Sequence, residues 1–180
     1  MLNTKYFILP LEGGQTVPVQ NPYAYGNAWI IDKVTYVDNA NAELARVGKI
    51  DLRHEAVADK RFKAVLGDSK KQDGESIVKL TSYAPNRLTY DVSTTKGGVI
   101  VFAENYYPGW TALVDGKEVE IGRVNYVLRA ISVTAGRHKV ELSFFPKTVN
   151  TTEYIAYAAY VVILLAILLL VFLYFRKKES

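Results

Sequence analysis

The residues best suited to chemistry by contact form a short run, Asn105-Tyr106-Tyr107-Pro108-Gly109-Trp110. Aromatic rings offer apolar faces on which a sugar ring stacks, while an amide or a carboxylate such as Asp115 can bond its hydroxyls. The same run also allows a plainer role, with Pro108-Gly109 as a turn and Trp110 and one Tyr filling a core. Alternation along a strand divides the three rings. Trp110 shares a face with Ala112 and Val114 and is expected to be largely buried. Tyr106 and Tyr107 are consecutive and cannot both point inwards, so at least one is expected to be exposed. A second candidate is Arg129, a cation on an otherwise apolar strand between Val127 and Ile131. It either forms a structural ion pair, for example with Asp115, or binds an anion such as a lipid phosphate.

Other chemistries are poorly supported. The chain has no Cys, which removes disulfides, thiolate catalysis and Cys-based metal sites. His54 and His138 have no neighbours at metal-ligand spacing, so no metal site and no cofactor are expected. Nothing in the sequence links Asp51, Glu55, Asp59 and Asp91 into a carboxylate pair, and no catalytic residue is assigned. The formal charge is +4. The last five residues carry three of the 22 cations and one of the 18 anions, so residues 1–153 are nearly balanced. The alkaline pI therefore gives no case for nucleic acid as a partner.

Elements that must hold these residues are legible from period and punctuation. A strand is expected at 4–9, a loop at 11–20, and one strand over 28–37 that is buried on both faces at Trp29-Ile30-Ile31. Asp38 or Asn39 should cap a short helix ending before Gly48, with Leu44 and Val47 on its apolar face. A short strand fits 55–58, and residues 61–74 read as polar, with an exposed loop at 67–74. From residue 76 strand follows strand: 77–83, 87–93, 99–104, 110–114, 117–121, 126–133 and 139–145. Asp115-Gly116 between two of them is a strong hairpin signal. Even spacing of this kind predicts a mainly β fold, a β-sandwich of jelly-roll or immunoglobulin-like type with one short helix.

Residues 154–175, YIAYAAYVVILLAILLLVFLYF, contain no charge, Pro or Gly. About 20 apolar residues in a helix cross a bilayer core of roughly 30 Å. Tyr154, Tyr157 and Tyr174 fall near the ends, where aromatic rings favour the headgroup level, and Arg176, Lys177 and Lys178 follow. Cationic flanks stay preferentially in the cytoplasm. The expected layout is therefore an extracytoplasmic domain at 1–146, a spacer at 147–153, a transmembrane helix at 154–175 and a cytoplasmic tail at 176–180. Such a domain must be exported, yet the opening Met1-Leu2-Asn3-Thr4-Lys5 has no signal-peptide pattern. Either the chain is the C-terminal piece of a longer membrane protein, or it is a tail-anchored protein with a cytoplasmic domain. The charge rule favours the first.

Five segments resemble one family. They are ENYYPGWTALVDGK at 104–117, VNYVLRA at 124–130, AGRHKVELSFFP at 135–146, LNTKYFI at 2–8 and NPYAYGNAW at 21–29. Taken in chain order they resemble the C-terminal extracytoplasmic region of the YfhO family of bacterial multi-pass membrane proteins. The resemblance implies upstream membrane helices in the same full-length protein. It further implies a lipid-carrier-dependent glycosyltransferase that takes sugar from a polyprenyl-phosphate donor and acts on cell-envelope glycans. The acidic catalytic residues of such enzymes lie in an N-terminal half that this sequence does not contain. The resemblance thus implies an accessory domain; a glycan-binding or purely structural membrane-anchored module is the alternative.

Overall fold

The computed structural model describes residues 1–68 and 76–178, with backbone alone at 147–150 and 177–178. In chain order the strands and helices are β1 (Tyr6–Pro10), β2 (Thr16–Gln20), β3 (Ala28–Ile31), β4 (Lys33–Val37), α1 (Ala40–Val47), β5 (Glu55–Asp59) and, after a 3-10 turn at Lys60–Phe62, α2 (Lys63–Leu66). Then come β6 (Ile77–Ala84), β7 (Arg87–Thr94), β8 (Gly98–Asn105), β9 (Trp110–Val114), β10 (Lys117–Val119), β11 (Gly122–Val124), β12 (Leu128–Val133), β13 (Gly136–Phe144) and α3 (Lys147–Lys178). The chain divides into two compact units, Met1–Phe144 and the segment from Phe145 on.

The first unit is a β-sandwich. One sheet has the order β10-β9-β13-β7-β6, the other β11-β12-β8-β3, and neighbours within each are antiparallel. Alternation supplies the core between them. Leu88, Tyr90 and Val92 of β7 and Val140 and Leu142 of β13 face Ile100 and Phe102 of β8 and Ile131 and Val133 of β12. The opposite face of the second sheet is also covered. Trp29, Ile31, Val99, Val101 and Ala130 meet Val34, Ala56, Ala58 and Leu66 from the parallel β4–β5 pair and α2. Burial on both faces explains why β8 is apolar almost throughout. A parallel pair needs a crossover, and α1 supplies it between β4 and β5.

Several expectations change in detail. Residues 28–37 are two strands, broken at Asp32 and belonging to different sheets. Residues 16–20 are not loop but β2, paired with β1 in a hairpin exposed along most of its length. Residues 60–66, mostly within the stretch read as polar, form helical turns, because Asp59 caps the 3-10 turn and Leu66 plugs into the second core cluster. The domain therefore has more than the one short helix expected. That helix starts at the Asn39 cap, whose side chain accepts from the Ala42 N–H, but it presents a different face. Leu44 is exposed, while Ala40, Glu43 and Val47 face inwards, with Glu43 fully buried. The exposed loop expected at 67–74 falls mostly on 69–75, outside the described residues. Asp115 and Gly116 occupy the predicted hairpin turn, with φ of 51° and 79°.

The second unit is one helix. The spacer expected at 147–153 is helical, since nothing after Pro146 breaks the pattern and Pro is favoured just where a helix begins. Thr151–Arg176 is long and apolar enough to cross a membrane. Tyr154, Tyr157 and Tyr174 are exposed on its surface, as is Arg176. The side chains of Lys177 and Lys178 lie outside those described.

Candidate functional site

Strand alternation points Arg129 between the sheets. On β12 it follows the same inward face as Ile131 and Val133, at the end of the sandwich where the core stops. The β12–β8 ladder is irregular there: Leu128 pairs with Asn105 but Ala130 pairs with Val101. Such bulges redirect side chains, and here Glu104 is brought to the Arg129 guanidinium as its ion-pair partner. From the facing sheet, Trp110 of β9 lays its ring over that guanidinium, 3.8 Å from Arg129 Cζ to the ring centroid. Phe144 of β13, opposite Trp110 in register, packs on the indole at 5.4 Å between centroids.

Arg129 is 2 % exposed, yet its Nε and Nη1 have no hydrogen-bond partner among the described residues. Burial pulls its pKa down to about 10, so it remains charged at neutral pH. The Tyr90 hydroxyl is also buried and unpartnered; burial pushes it up to about 12, against the pull of the Arg129 charge. Beside this end of the sandwich opens a cleft of about 530 Å³. Tyr106, Tyr107, Trp110, Glu118, Glu120 and Arg129 are among its lining residues, and the Tyr106 ring packs edge-on against Phe62, 5.8 Å between centroids.

The sequence candidates are thus only partly brought together. Tyr106, Tyr107, Trp110 and Arg129 share the cleft. Trp110 is half-buried, between its core packing and the opening, whereas Tyr106 and Tyr107 are 36 % and 63 % exposed. Both lie just past β8, which ends at Asn105; the Tyr106 N–H still donates to the Val127 carbonyl and its ring packs on Phe62. Asn105 is exposed and does not line the cleft. Asp115 is not the partner of Arg129. It sits in the hairpin turn, where its carboxylate accepts from His138 Nδ1 at 2.7 Å and from the Lys139 N–H at 2.8 Å.

That His138 pair is pH-sensitive. Nδ1 meets a carboxylate and Nε2 meets the Thr134 carbonyl at 3.0 Å, two acceptors that only a protonated ring can satisfy together. The bond to Asp115 raises the His138 pKa above its ordinary 6.5 and lowers that of Asp115. A raised His value means stability fully present below about 6.5 and lost as pH rises through the folded-state value. Urea midpoints should therefore fall between pH 6 and pH 9, and His138→Gln should remove that part of the slope. An identical slope in the variant would assign it elsewhere.

Three contributors escaped the sequence reading: Glu104, Glu43 and Arg123. Glu43 Oε2 accepts from Arg123 Nη2 at 2.9 Å and Oε1 from the Tyr126 N–H at 2.7 Å. Asn125 and Tyr126 both have positive φ, 51° and 73°, and Asn125 bonds Val57 through main chain and side chain. This corner leads directly into Leu128 and Arg129 and so sets where the cation enters the sandwich. Alternation on β8 could have flagged Glu104; nothing local flags Glu43.

Residues 51–156 match the family described as bacterial membrane protein YfhO, more than half of the 180 residues. The chain belongs to that family. The YfhO match spans the cleft-lining residues, the Arg129–Glu104 pair and the first turn of the apolar run. No curated protein and no solved structure matches the chain. With a span that suits a bilayer and membership of a membrane-protein family, the chain is a membrane protein.

Proposed function

We propose that this chain is the accessory extracytoplasmic part of a membrane-embedded, lipid-carrier-dependent glycosyltransferase-like protein, and that its cleft holds a cell-envelope glycan or the sugar of a polyprenyl-phosphate donor. The observation that carries this reading is the cleft, whose lining combines Tyr106, Tyr107 and Trp110 with Arg129 and the carboxylates Glu118 and Glu120. Stacking faces with a few convergent polar groups are what sugar recognition uses. The glycosyltransferase component follows the YfhO resemblance, an analogy at the level of the family. Arg176-Lys177-Lys178 supports a cytoplasmic C-terminus, which puts the β domain outside, beside upstream membrane helices of the full-length protein.

Tyr107 gives the test, because it is exposed and its ring touches Phe144 only at the edge of the core, with centroids 6.1 Å apart. Tyr107→Ala in the full-length protein should cost less than about 1 kcal/mol of stability. It should lower sugar transfer to the envelope about threefold to tenfold, the worth of one aromatic contact. Unchanged transfer would leave the second reading, a structural module. That reading draws on the Trp110–Arg129 stack, which ties the two sheets together without any ligand.

A further inference from the structure

We infer that the cleft takes a neutral or amine-bearing sugar ring and turns phosphate-bearing groups away. This rests on the glycan reading above and narrows its ligand. Arg129 is the single cation among the described residues lining the cleft, and Glu104 already neutralises it. Its guanidinium face is covered by Trp110. Glu118 and Glu120, both exposed carboxylates, also line the cleft. They point out from β10 and the residues just after it, on the side away from the core that Val119 and Ile121 join.

A phosphate site needs charge and several converging donors, from Arg or Lys clusters, helix N-termini or backbone nests. Among the described lining residues none belongs to a helix, and the excess of charge is negative. Sugar hydroxyls fit the same groups well. They donate to the carboxylates of Glu118 and Glu120, and accept from the hydroxyl of the exposed Tyr107. A ring amine adds an ionic contact to either Glu. The phosphate of a lipid carrier would then lie outside the cleft, with only the sugar inside.

Isothermal titration of the whole chain in nanodiscs of zwitterionic lipid tests this, with glucosamine, glucose, glucose 6-phosphate and inorganic phosphate as probes. Glucosamine should bind best and glucose next. Glucose 6-phosphate should be weaker than glucose by about fivefold, the order that two exposed like charges give in a high dielectric. The gap should shrink at high salt and in Glu118→Gln/Glu120→Gln. Phosphate or glucose 6-phosphate binding more tightly than glucose would overturn the charge selection while leaving a sugar site. No heat from any of the three sugars would overturn the glycan reading itself, and this inference with it.

Discussion

Glu104→Ala destabilises the β domain by about 3 kcal/mol, the low end of what removing one partner of a buried ion pair costs. The reason is what stays behind. Arg129 is 2 % exposed and remains between the sheets with its charge uncompensated and two N–H groups already lacking partners. The low end applies because the Glu104 side chain is itself 30 % exposed, so water partly replaces it. Arg129→Met removes the charge together with its desolvation cost and should be the milder change, since apolar replacement of a buried pair is often close to neutral. Urea unfolding followed by Trp fluorescence checks both, because Trp29 and Trp110 are the two Trp residues and both lie in this domain. An Arg129→Met variant less stable than Glu104→Ala would show that the cation, not its compensation, holds the sheets together.

Glu43→Ala should cost a similar amount, about 2–4 kcal/mol. It removes two charge-assisted hydrogen bonds, each worth roughly 1.5–3 kcal/mol, and leaves part of Arg123 buried without its carboxylate. It also frees the Asn125-Tyr126 corner, whose two left-handed residues persist only while the surroundings hold them. Glu43→Gln keeps the shape and one acceptor and should lose less. Amide exchange at Tyr126 reports the corner directly: strong protection in the parent chain, fast exchange in Glu43→Ala. Protection that survives the substitution would place the anchor in the Asn125–Val57 bonds instead.

Which parts of this structure the sequence reveals depends on the range of the interaction. Alternation in 87–93 and 139–145 and the Asp115-Gly116 turn are local, and β7, β13 and the β9–β10 hairpin follow them. The apolar run at 29–31 was read as buried on both faces, and its sheet is covered on both. Local pattern failed where a polar residue faces inwards. Leu44 looked like the buried side of α1, but the helix is turned so that Glu43 meets Arg123, 80 positions away. Asp115 and Glu104 were equally available to Arg129 by charge; a bulge in the β8–β12 ladder decided for Glu104. The break at Asp32 is likewise a sheet-assignment event without a Pro or Gly to mark it. At the site, the aromatic cluster was legible from type and spacing. The part of Glu118 and Glu120 was not, because only the tertiary fold brings them to the same cleft as Tyr106 and Tyr107.

The most direct measurement on the glycan cleft uses the two indole N–H signals of the 15N-labelled chain in nanodiscs. Trp29 Nε1 donates to the Leu52 carbonyl at 3.1 Å inside the second core cluster and serves as an internal reference. Trp110 lines the cleft. On titration with glucosamine the Trp110 signal should shift in a saturable way while the Trp29 signal stays in place. Two stationary signals up to saturating sugar would contradict a sugar site at this end of the sandwich.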